Sequence, residues 1–137
     1  MRIELIAVSS HDGFHIKALY DLLGERTPEQ SISHKEMPSW EEHVAFVKSK
    51  PYMAWYFIFA NDIGDAVGAT YLTKQNEIGI AIFQQHRGKG YAHAAIKELM
   101  KQHDGPFLAN INPGNWASRC LFDRLGFKFI QVTYSHE

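Results

Sequence analysis

Isoleucines at 78, 80 and 82 alternate with smaller residues in Glu77-Ile78-Gly79-Ile80-Ala81-Ile82-Phe83, the period-two pattern of a strand. Beyond Gly90 the period changes. Ala92, Ala95, Ile96, Leu99 and Met100 recur at three and four, one face of a helix that ends near His103. Upstream, Ile3, Leu5 and Ala7 predict a first strand, and residues 14–23 a helix with Ile16, Leu19, Tyr20 and Leu23 on one face. Ser39 with Glu42 is a capping box opening a second helix over 40–49, which Pro51 ends. Residues 52–60 predict an aromatic strand, 61–65 a hairpin loop and 67–73 a third strand, before the fourth at Glu77. Residues 107–111 predict a fifth strand. Asn115 caps a last helix closed by Gly126, and 127–134 predict a sixth strand.

Composition narrows the class. The 137 residues suffice for one domain, 45% of them are hydrophobic, and the net charge of −1 argues against a nucleic-acid surface. One cysteine excludes an internal disulfide. No leader or membrane-length apolar run is evident, so the expectation is a soluble cytoplasmic protein with no membrane partner. Eight histidines raise the question of metal, but His11 and His15 flank a helix-weakening Gly13 and no His-Glu-x-x-His occurs, so no metal is expected.

The junction at residues 85–91, Gln-His-Arg-Gly-Lys-Gly-Tyr, carries the candidate chemistry. A strand, a glycine turn and a helix start make an anion site, because first-turn N–H groups lack helical partners and the dipole adds positive charge. Gly88 and Gly90 allow close backbone approach, and Arg87 and Lys89 add charge. A P-loop would need glycine where Phe83 stands and Ser or Thr at Gly90. A dinucleotide fingerprint would need a small residue at His93. Neither fits.

Gln85, Gly88 and Gly90 do match the Gln/Arg-x-x-Gly-x-Gly/Ala signature of the GNAT superfamily of acyl-CoA-dependent N-acetyltransferases, with Ile82 at its preceding apolar position. A second stretch, residues 115–127, resembles the family's Asn-x-x-Ser-x-x-Leu-Tyr-x-Lys-x-Gly-Phe pattern through Asn115, Ser118, Leu121, Gly126 and Phe127, with Arg124 for Lys and Phe122 for Tyr. The resemblance implies a single α+β domain over 1–137. Its mixed, mostly antiparallel sheet would have six to seven strands, splayed between the fourth and fifth and flanked by four helices.

It also implies acetyl-CoA as co-substrate. The backbone of Arg87, Gly88, Lys89, Gly90 and Tyr91 would hold the pyrophosphate, and Gln85 would brace the loop. The pantetheine would run beside Ile80 and Ile82, one of whose N–H groups stabilises the oxyanion. Asn115 would bond the pantetheine or the backbone near it, or would simply cap its helix, and Ser118 belongs to the same motif. A primary amine would attack the thioester directly in a ternary complex. A lysine-like amine, pKa roughly 10.4, is only about one part in a thousand neutral at pH 7, so a base is needed. Glu77 is the first candidate; His43 and Glu42 are the second. Phe122 stands where the family's tyrosine protonates the leaving thiolate, leaving Tyr91, Cys120, Tyr134 or water.

Residues 32–34 with 38–46, 52–58 and 77–79 resemble enzymes that acetylate nucleotide-linked amino sugars. The expected partner is therefore a small-molecule amine, an amino-sugar nucleotide first. A protein N-terminus or another small amine is the alternative, and a non-catalytic acyl-CoA-binding module the reading from another class. Monomer and homodimer stay equally open.

Overall fold

The computed structural model describes residues 2–27 and 36–136. Four strands, β1 (Ile3–Ala7), β2 (Ala54–Ala60), β3 (Asp65–Leu72) and β4 (Ile78–Ile82), form one antiparallel sheet in chain order. The helices are α1 (Gly13–Gly24), α2 (Trp40–Lys48), α3 (Tyr91–Gln102) and α4 (Trp116–Arg124), with a 3-10 turn at Gln84–His86. Three of the four have the caps their sequences promise. Asp12 accepts from the amides of Phe14 and His15, Ser39 and Glu42 cap each other, and Asn115 accepts from Ser118 N.

Alternation along the strands sorts the core onto two faces. Phe57 and Ala69 pack with Ile16, Leu19, Leu22 and Val47 of α1 and α2. On the other face Ile58, Ala60 and Val67 meet Tyr91 and Ala95, while Leu72 and Ile78 meet Ile96, Leu99 and Phe122. The result is a sheet with α1 and α2 on one side and α3 and α4 on the other. α1 buries Leu22 rather than the expected Leu23, and α2 buries His43 and Val47.

The expected sheet of six to seven strands is corrected here. The fifth, 107–111, touches the sheet only through a parallel bridge between Glu77 and Leu108. Ile78 N donates to Leu108 O and Leu108 N to Asn76 O; on either side of that point Phe107, Ala109 and Ile111 pack against the α3–α4 core. The expected sixth strand, 127–134, is not paired either. Phe129, Ile130, Val132 and Tyr134 are exposed, and among the described residues nothing lies alongside to bond them. Alternation reports that a segment suits a strand, not that a partner exists.

Among the described residues no helix is long and apolar enough to cross a membrane.

Candidate active site

The site is a gap in the sheet. Residues of a strand bond alternately to left and right. Glu77 O and Phe83 N pair with Thr73 and Val67 on the β3 side, whereas Ile78 N pairs with Leu108 on the other. By the same alternation the N–H groups of Ile80 and Ile82 point to the side beyond Leu108, where β4 and the 107–111 segment diverge. The two strand-edge residues named from the sequence therefore turn their N–H groups to the open edge.

Above that edge the chain turns into α3. Gly88 and Gly90 have φ of 74° and 87°, a left-handed conformation that glycine adopts without a side-chain penalty. α3 begins at Gly90 with no side-chain cap, unlike the other helices, so no capping side chain occupies its first amides. A Cβ at Gly88 would meet nothing within 4 Å, so the turn's outer surface is open. Lys89 and Arg87 are exposed beside it. Arg87 Nε donates to the carbonyl of Ile82 at 3.0 Å, placing its guanidinium against the open edge itself. The turn is tied down by Glu25, which accepts from Gln84 N at 2.6 Å. Gln85 is exposed, with Nε2 3.2 Å from His86 Nε2. Tyr91 turns its ring inward and donates its hydroxyl to Asp62, leaving its backbone for the turn. Asn115 Oδ1 is used by the α4 cap, and Ser118 supplies the amide that bonds it.

The three base candidates lie apart in kind. His43 is buried, its Nε2 at 2.9 Å from Ile16 O and its ring against those of Tyr20 and Trp40, which also touch each other. Its neighbour Glu42 caps α2, and hydrogen bonding from the Ser39 backbone holds its carboxyl below the usual range. Glu77 sits where the gap begins. Its carboxylate accepts from Thr73 Oγ1 at 3.1 Å and from Asn110 Nδ2 across the gap.

Sequence reasoning missed the aromatic lining of this mouth. A Cβ on Gly79 would lie 1.9 Å from the ring of Tyr71, so that ring crosses β4 in the space glycine leaves. Tyr52 stacks on Tyr71, centroids 3.9 Å apart and planes within 4°. Burial pushes both phenols above their ordinary value, with Tyr71 the second cause for Tyr52. A glycine inside a strand signals close approach of another group, and Gly79 carried that signal. Gly79→Ala is therefore expected to drive Tyr71 from its stack and to cost about 1–3 kcal/mol. Denaturant unfolding checks this, and pairing the change with Tyr71→Ala should recover most of the loss.

Phe122 is buried against Phe127 and can supply no proton. Tyr134 stands in solvent, while Cys120 is half-buried. His15 Nδ1 accepts from Ser9 N, and among the described residues no group of three or more His, Cys, Asp or Glu is placed to hold a metal ion.

Comparison with known proteins agrees with this geometry. The family model for the acetyltransferase (GNAT) domain matches residues 2–128. The chain belongs to that family and is an acyltransferase. A domain from Methanocaldococcus jannaschii superposes with a TM-score of 0.83 at 22% identity, over 96% of this chain and 92% of that one. A GNAT superfamily phosphinothricin acetyltransferase from Sinorhizobium meliloti, in complex with acetyl-CoA, gives 0.73 at 20% over 93% and 76%. A putative acetyltransferase from Salmonella typhimurium, with its cofactor acetyl-CoA, gives 0.67 at 17% over 93% and 80%. At these identities the neighbours share the fold. No curated protein sequence matches significantly.

Proposed function

We propose that this acyltransferase moves an acetyl group from acetyl-CoA to a primary amine by direct attack in a ternary complex. The observation that carries the reading is the open edge at Ile80 and Ile82 directly below an uncapped, left-handed glycine turn. An extended pantetheine can bond the edge as a strand would, while the turn's amides meet the pyrophosphate. An edge N–H then faces the thioester oxygen, where negative charge grows as the amine adds.

Glu77 is the proposed base. At about 3.3 Å per residue its Cα lies roughly 10 Å along the strand from that of Ile80, so the amine proton reaches it through intervening water. His43 is assigned to packing, since its one described polar contact is to a backbone carbonyl in the interior. For the leaving thiolate, Tyr91 is committed to Asp62, which leaves Cys120 and water as proton sources. The amine proposed first is an amino-sugar nucleotide, on the resemblance of 38–46, 52–58 and 77–79; residues 32–34 lie outside the described residues.

Thermal unfolding with acetyl-CoA, and with ATP and NAD as controls, tests the co-substrate. A ligand at about 100 times its Kd stabilises by roughly 2.7 kcal/mol, several degrees at this size. A rise with acetyl-CoA alone is expected. No rise at millimolar acetyl-CoA would remove the reading. Thiol release with amino-sugar nucleotides, peptides with free N-termini and small polyamines then separates the acceptors, and binding without release from any would favour a non-catalytic module.

A further inference from the structure

Glu77 is gripped from both walls of the gap. On its own side Thr73 Oγ1 accepts from the amides of Gln75 and Glu77, at 3.3 and 3.0 Å, which leaves its proton directed to Glu77 Oε1. From the far wall Asn110, two residues past the Leu108 bridge, donates Nδ2–H to Oε2. An amide NH₂ and a hydroxyl directed this way offer only protons. An ionised carboxylate accepts both, whereas a protonated carboxyl must turn its own O–H toward one of two donors. Each carboxylate oxygen is thus held by its own donor.

The surroundings add no competing partner. Tyr71 of β3 is in electrostatic reach of Glu77, but its phenol is neutral throughout the range in which carboxyls titrate, and Arg26 beyond α1 acts on that same phenol. No Lys or Arg forms an ion pair with Glu77 among the described residues. Two neutral donors, not a cation, therefore hold it in place.

We propose that Asn110 is a positioning residue that holds the Glu77 carboxylate fixed across the mouth of the gap. The inference rests on the reading of Glu77 as the base. It gives the 107–111 segment a chemical task in addition to its structural one. Asn110 reaches the carboxylate only because the parallel bridge pins Leu108 beside Ile78, and Asn76 reinforces that pin. Its side chain donates to the carbonyls of Asp104 and Pro106, both at 3.1 Å.

The test is a double-mutant cycle on thiol release. Asn110→Ala should lower kcat by about tenfold with acetyl-CoA affinity as in the parent, because the carboxylate is then held from one wall only. In the Glu77→Gln background the same change should cost nothing further, whereas a residue that merely shapes the loop would lower the rate equally in both backgrounds. Asn110→Ser, which keeps a short donor, should fall between the wild type and Asn110→Ala and serves where the alanine variant folds poorly. An unchanged kcat in Asn110→Ala, or an equal loss in both backgrounds, would overturn the proposal and leave the base assignment standing. Wild-type thiol release by Glu77→Gln would remove the base assignment, and this proposal with it.

Discussion

At neutral pH, Glu77→Gln is expected to lower kcat/KM by about 10²–10⁴-fold, the usual contribution of a positioned general base. Acetyl-CoA affinity should be unchanged, because the carboxylate touches Thr73 and Asn110 rather than the glycine turn. The deficit should narrow as the pH rises, since a larger share of the amine is then neutral without help. Its size also reports the acceptor. A lysine-like amine, ionised until about pH 10.4, depends on the base far more than an α-amino group near 7.7–8.0. Thiol release across pH measures both effects, and equal rates in variant and parent would retire Glu77 from the mechanism.

Leu99→Ala should produce the largest loss of stability, about 2–5 kcal/mol. Leu99 has no exposed surface and stands beside Leu72, Ile78, Ile96 and Phe122, where helix, strand and α4 meet. Such a site has little room to relax, because its neighbours belong to separate elements that would have to move together. The melting temperature should fall by roughly 10 °C. Saturating acetyl-CoA should restore part of that loss, since the ligand binds the folded state. A drop below about 2 °C would mean that α3 settles into the vacancy.

Much of this was legible in the residues. The period-two isoleucines located β4 and, once paired, its open edge. Gly88 and Gly90 were read as allowing close backbone approach, and both take positive φ. What failed to show was anything that depends on a partner distant in sequence. Residues 127–134 have the alternation of a strand, yet pairing is a property of two segments, and one segment cannot display it. Asn110 is 33 residues from Glu77, and nothing local marks it as a ligand of that carboxylate. His43 and Glu42 were named together as second base candidates, but the angle between successive helical residues sends one to the cap and the other inside. Gly79 held a local signal that went unread: an interior strand glycine marks the close approach of another group, here the Tyr71 ring.

A sheet has two borders, and in this protein they face different hazards. Any border of unpaired amides is a template on which a stray chain can add and begin to aggregate. Along β1 the exposed edge carries Glu4, whose charge resists such addition and whose carboxylate also receives Asn61. The β4 border cannot be defended by charge in the same way if it is to take an uncharged pantetheine. Its safeguard is brevity. The bridge at Glu77 and Leu108 consumes the start of the border, and the chain leaves the sheet after Ile82. What stays open is shorter than the roughly five or six residues of an ordinary strand, enough for a slender cofactor arm and a poor foothold for another polypeptide.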